Sequence, residues 1–124
     1  MTAQEKTILV AEDDAASREL LAEILRASGY TVIEAADGAE AVDELEQCRP
    51  DLVLVDIQMP KLSGYQVLSH LRTHSSQPAI PVVAITAHAM RGDREQALEA
   101  GFDGYFAKPI AVAELRRRVA ELLG

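Results

Sequence analysis

The chain has 124 residues, of which 48% are hydrophobic and 26% charged, with a net charge of −8. This is long enough for one domain with a real core, expected to span residues 1–124 with the core at about 7–123. The acidic balance speaks against a nucleic-acid partner, because phosphate contact needs clustered Lys and Arg; it fits a protein that meets basic surfaces or holds a cation.

Met1 to Lys6 is polar and mixed in charge, unlike a signal peptide. No apolar run approaches the length needed to cross a membrane. A cytoplasmic location without membrane insertion is the expectation. One cysteine, Cys48, excludes an internal disulfide; with no activating base beside it, it reads as a small apolar packing residue.

Thr7 to Ala11 is an apolar, β-rich run followed at once by Glu12-Asp13-Asp14. Leu20, Leu21, Ile24 and Leu25 then recur at helical spacing between Ala15 and Ser28, and Gly29 supplies the stop. Asp13 or Asp14 can cap that helix. Thr31 to Ala35 reads as a second strand. Asp37 caps a second helix with Ala41, Val42 and Leu45 on one face, while Glu34, Asp37, Glu40, Asp43, Glu44 and Glu46 read as solvated acids. After the Arg49-Pro50 break, Leu52-Val53-Leu54-Val55 is apolar without alternation, as in a strand covered on both faces, and it ends on Asp56. Pro60 closes that strand.

Ser63 opens a third helix running to about His74, with Tyr65, Val67, Leu68 and Leu71 as its apolar contribution. Ser75 to Pro78 is a polar turn, and Pro81 to Thr86 a fourth strand. Arg91 to Ala100 suits a helix of thin apolar content, as a loosely held element would be. Tyr105-Phe106-Ala107 is a short last strand. Past Lys108-Pro109 a final helix packs Ile110, Leu115, Val119 and Leu122. Strand and helix alternate with short links, which predicts an α/β, doubly wound, five-stranded parallel sheet with helices on both faces.

In such a sheet the strands' carboxyl ends share one edge, where ligands bind. That edge would gather Glu12 and Asp13, Asp56, Thr86 and Lys108. Three carboxylates raise one another's pKa unless a cation joins them. Hard oxygen donors with room for water suit Mg²⁺, or Mn²⁺, over zinc or copper. Thr86 and Lys108 complete a set suited to a tetrahedral dianion, with Asp56 placed to attack phosphorus. His70 and His74 have i,i+4 spacing but no third ligand, and read as exposed. Arg116-Arg117-Arg118 reads as a solvated face that remains a docking candidate.

The segments Ile8 to Asp14, Asp56 to Pro60 with Gly64, Thr86-Ala87 and Tyr105 to Pro109 carry a resemblance to the response-regulator receiver domains of the CheY-like family, over essentially the whole chain. The resemblance implies a flavodoxin-like strand order of 2-1-3-4-5 and a phosphoacceptor switch in place of a classical enzyme. It implies that Asp56 accepts a phosphoryl group from a histidine kinase or phosphotransfer protein. Mg²⁺ is then held by Asp13, Asp56 and the Gln58 backbone carbonyl, with Glu12 nearby. Thr86, Ala87 and Lys108 meet the phosphoryl oxygens, and Pro109 follows a commonly cis bond. Thr86 and Tyr105 form the switch, acting on the face built by the fourth helix, fifth strand and fifth helix. Gln58 and His88 tune phosphate lifetime, and Gly64 shapes the turn. A monomer, or a weak phosphorylation-dependent dimer, is expected, and the Met1 start and Gly124 end lean toward a free-standing regulator over a hybrid-kinase receiver. A phosphorylation-independent scaffold with a retained pocket stays open as an alternative. An Mg²⁺-dependent phosphohydrolase would want an aspartate where Gln58 stands, and a flavodoxin-type binder would not want Glu12-Asp13-Asp14 beside phosphate.

Overall fold

In a computed structural model of the chain, residues 6–74, 80–87 and 90–123 are described. Strands β1 (Thr7–Ala11), β2 (Thr31–Ala35), β3 (Leu52–Asp56), β4 (Val82–Thr86) and β5 (Gly104–Ala107) alternate with helices α1 (Ala15–Ala27), α2 (Gly38–Cys48), α3 (Gly64–His74), α4 (Asp93–Ala100) and α5 (Val112–Leu123). All strands are parallel, in the order β2-β1-β3-β4-β5. The expected architecture is the observed one.

The unbroken apolar runs have their cause in two cores. Along β1, β3 and β4 one set of side chains (Leu9, Ala11, Val53, Val55, Val82, Ala84) packs with Ala41, Leu45, Val67, Leu71 and Ala97 of α2, α3 and α4. The intervening set (Ile8, Val10, Leu52, Leu54, Val83, Ile85) packs with Leu21, Leu25, Leu115 and Val119 of α1 and α5. Side chains alternate across a strand, so a strand covered on both faces is apolar at every position.

Polar residues set the ends. The side chain of Asp14 caps α1 by accepting from Ser17 N at 3.0 Å, and Asp37 caps α2 from Glu40 N at 2.8 Å. At α3, Ser63 Oγ accepts from Gln66 N at 3.3 Å while Gln66 Oε1 accepts from Ser63 N at 2.8 Å, a reciprocal capping box. Gly92, at φ 89, holds α4 to a start at Asp93, two residues later than the Arg91 expected from the sequence. Of α4 only Ala97 is buried, as its thin patterning suggests.

Four expectations need correction. Glu34, read among the solvated acids, is half-buried on β2 and pairs with Arg18 at 3.4 Å and Arg26 at 3.2 Å. Leu20 is 57% exposed: Leu21 and Leu25 define the stripe facing the sheet, and Leu20 lies around the helix flank. Cys48 is exposed in the last turn of α2, its thiol directed at Glu44 Oε2 at 3.4 Å. Local desolvation and that carboxylate push the thiol pKa up, away from reactivity. His70 is half-buried and lies 3.2 Å from Glu46 Oε1, bridging α3 to α2. The polar turn at 75–78 and the side chain of His74 lie outside the described residues. Arg117 and Arg118 both reach Glu121, at 3.3 Å each. No described helix is long and apolar enough to cross a membrane.

Candidate functional site

Among the described residues the buried polar or charged side chains are Glu12, Asp56 and Thr86, and all follow or end strands at one edge of the sheet. A buried polar group is the informative exception in a folded chain. Asp56 is the last residue of β3 and pairs with Ile85 of β4. Thr86 ends β4 beside Ala107, and its carbonyl accepts from Lys108 N at 2.8 Å. The backbone ladder therefore fixes Asp56, Thr86 and Lys108 as neighbours.

The carboxylates converge. Glu12, Asp13 and Asp56 each offer an oxygen, and these lie within 4.8 Å of one another. Asp56 is 5% exposed; its Oδ1 accepts from Gln58 N at 2.9 Å and its Oδ2 lies 3.4 Å from Lys108 Nζ. Lys108 also forms an ion pair with Glu12 Oε2, so one ammonium spans both buried acids. Burial lifts the Glu12 carboxyl from 4.5 to about 7 against the opposing pull of Lys108, and Asp56 adds to the rise. Asp13 is exposed and closes the cluster from the solvent side. Three acidic groups served by one cation form a donor set short of positive charge, and their oxygens suit a hard divalent ion.

The loop after Asp56 is held by absent side chains. A Cβ on Gly64 would lie 2.7 Å from the Asp56 carbonyl oxygen and 2.8 Å from Ile57 Cα. A Cβ on Gly38, the first residue of α2, would lie 2.1 Å from the Leu62 carbonyl oxygen. Lys61, at φ 69, reaches back to Asp37 at 3.3 Å. The sequence singled out Gly64 and did not single out Gly38 or the Lys61–Asp37 pair. An Asp-Gly step before a helix reads as an ordinary cap, and nothing local announces that a distant loop rests on it.

Lys108-Pro109 is cis, as the resemblance implied. Ala87 is exposed. Beside it and Lys108 opens a groove of about 400 Å³, whose lining includes Leu20, Leu21, Ile24 and Ile110. Tyr105 is half-buried and packs against the α2–α4 core, with its hydroxyl buried and unpartnered among the described residues. Gln58 is exposed, and His88 lies outside the described residues.

A five-stranded 2-1-3-4-5 sheet with buried acids and a lysine at its carboxyl edge defines a class, and the chain belongs to the response regulator receiver domain family, which it matches over residues 8–120. Such domains are phosphoacceptor switches of two-component signalling that bind Mg²⁺ at an acidic pocket. Within that class the chain is DivK-like: it is 38% identical over 119 residues to the polar-differentiation response regulator DivK of Brucella anthropi, across 96% of this chain and 97% of that protein. It is 37% identical to the receiver domain of a sensor histidine kinase from Pseudomonas aeruginosa, with a TM-score of 0.88 over 98% of this chain and 99% of that one. That structure has a magnesium ion coordinated in its active-site cleft. A CheY-like receiver domain protein from Methanospirillum hungatei is 30% identical, with a TM-score of 0.86 over 97% and 94% of the two chains.

Proposed function

We propose that residues 1–124 form a single receiver domain in which Asp56 takes a phosphoryl group from a histidine kinase or histidine phosphotransfer protein. The observation that carries this reading is the buried Asp56 carboxylate, held between the Gln58 N–H and the Lys108 ammonium at the rim of the acid cluster.

An Asp56 oxygen attacks phosphorus in line with the P–N bond of a phosphohistidine. The new O–P bond forms as P–N breaks, and the electron pair leaves with the imidazole nitrogen. Lys108, already within 3.4 Å of Asp56, stays beside the arriving oxygens as a counter-charge. Thr86 brings a hydroxyl to the same edge, and Ala87 leaves the approach open. Glu12, Asp13, Asp56 and the Gln58 carbonyl would hold Mg²⁺ (or Mn²⁺), which supplies further positive charge at the phosphoryl oxygens. The phosphorylated Asp56 then draws Thr86 toward it, and Tyr105 turns inward behind Thr86. The output is binding of a protein target through α4, β5 and α5; self-phosphorylation from small donors and autodephosphorylation complete the cycle. His88 and Gln58 tune its lifetime. The exposed Leu20 in the groove beside Lys108 supports an apolar contact with the phosphodonor. A cytoplasmic monomer, or a weak dimer once phosphorylated, fits this role.

Intact-mass measurement after incubation with Mg²⁺ and acetyl phosphate or phosphoramidate tests the reading. One added phosphoryl group is expected, absent in Asp56→Asn and without Mg²⁺. A beryllofluoride titration covers the case of rapid autodephosphorylation. Labelling that survives at another residue refutes the assignment of Asp56, and failure in both assays favours a phosphorylation-independent scaffold.

A further inference from the structure

We infer that Arg18 is a positioning residue for the metal site: through its contact with the Glu12 carbonyl it sets the peptide from which Asp13 projects. The inference rests on the Mg²⁺ reading above.

Glu12 and Asp13 lie between the end of β1 and the start of α1. Glu12 N donates to Ala35 O at 3.0 Å, continuing the β1–β2 ladder by one residue. Its carbonyl lies outside the hydrogen-bond pattern of α1, whose first bond runs from Arg18 N to Asp14 O at 2.9 Å. A carbonyl in so buried a setting needs its own partner. Arg18, one turn into α1, supplies it: Nη1 donates to Glu12 O at 2.9 Å. The Glu12–Asp13 peptide is thus tied at its oxygen to a side chain from a rigid helix.

Arg18 is itself held. Its Nε lies 3.4 Å from Glu34 Oε1, and Arg26 Nη2 meets the other oxygen of Glu34 at 3.2 Å while also donating to Val32 O at 3.2 Å. Arg18 and Glu34 are 18% and 28% exposed at their side chains, more enclosed than an ordinary surface pair. The planar guanidinium meets the carbonyl through Nη1 and the carboxylate through Nε, two donors held in one fixed plane where a lysine has a single nitrogen.

The sign of the effect separates positioning from plain charge. If Arg18 acted only as a nearby cation, removing it would tighten Mg²⁺, because a repulsion would be lost. If it positions Asp13, removing it weakens Mg²⁺; groups that orient ligands typically carry about 10–100-fold in affinity.

The experiment is calorimetric titration of the full chain with Mg²⁺, for wild type, Arg18→Met, Arg18→Lys and Glu34→Gln, with thermal unfolding in chelator alongside. Arg18→Met, which keeps the apolar stem, is expected to bind Mg²⁺ about tenfold more weakly. Arg18→Lys and Glu34→Gln should fall between it and wild type, and they carry the test if Arg18→Met does not fold. Labelling by a small phosphodonor should need more Mg²⁺ for half-saturation in Arg18→Met yet recover at saturating metal. Affinity within about twofold of wild type in all three variants, or tighter binding, overturns the inference whatever the unfolding temperature does. Wild-type affinity in Arg18→Lys alone overturns the two-partner geometry. Wild type that binds no Mg²⁺ overturns the site reading and this inference with it, and is told apart because the unsubstituted chain fails.

Discussion

Replacing Gly38 by alanine should destabilise the protein, although alanine is the better helix former. The added Cβ would lie 2.1 Å from Leu62 O, 2.5 Å from Leu62 Cβ and 2.7 Å from Leu62 C. Two of these are backbone atoms, so no rotamer change relieves the clash, and either α2 or the loop after Asp56 must move. Overpacking a tight contact costs about 1–3 kcal/mol. Against this stands a helix-propensity gain of at most about 1 kcal/mol, and less at the first position of α2. The net cost is about 1.5 kcal/mol, which for a chain of this length lowers Tm by about 6 °C. Thermal unfolding by circular dichroism, with and without Mg²⁺, measures it. A Tm at or above that of wild type would show that Leu62 yields freely, and would refute the view that α2 braces this loop. A smaller stabilisation by Mg²⁺ in the variant would show that the displacement reaches the metal site.

Tyr105→Phe removes a buried hydroxyl that has no partner among the described residues, so it should be neutral or raise stability by up to about 1 kcal/mol; a loss of more than about 1 kcal/mol in urea unfolding would expose a partner for that hydroxyl. Glu12 gives a pH dependence in the metal-free protein. Burial raises its carboxyl from 4.5 to about 7, with Lys108 pulling it down and Asp56 pushing it up. The folded state therefore holds the proton more tightly than the unfolded state, and stability should fall as pH rises from about 4.5 to about 7. Denaturation in chelator should show this decline in wild type and a flatter curve in Glu12→Gln; parallel curves would refute it. Mg²⁺ should oppose the decline, because it binds the deprotonated form.

The fold was legible because its signals are collective. Unbroken apolar runs at Leu52–Val55 and Val82–Ile85 mean strands covered twice, and short links between strand and helix leave little topological choice. The convergence of Glu12, Asp13, Asp56, Thr86 and Lys108 was legible for the same reason, since parallel strands bring their carboxyl ends to one edge. What stayed hidden depends on distances that no period encodes. Arg18 looks like one more charged residue on an amphipathic helix; its role comes from a guanidinium reaching back six residues to a carbonyl. Gly38 looks like a cap, and its demand comes from Leu62, 24 positions away in sequence. Leu20 misled because helical spacing marks a stripe and not its width.

The pocket's charges explain why such hidden contacts matter. Glu12, Asp13 and Asp56 face one ammonium, Lys108, leaving two negative charges in excess when all are ionised. Burial first, and Asp56 in a smaller part, lift Glu12 to about 7 against the pull of Lys108, which leaves it partly protonated near neutrality and eases the excess. On the proposed reading a divalent cation would balance the excess, and a phosphoryl group on Asp56 would then restore negative charge beside Thr86. Each state is separated from the next by one or two charges in a buried site, where small changes in distance carry large energies. Ligand oxygens that wandered by an ångström would blur those states. Hence the bracing falls on backbone units next to the acids: Arg18 on the peptide before Asp13, Gly64 under the peptide after Asp56, and Gly38 against Leu62 further along that loop.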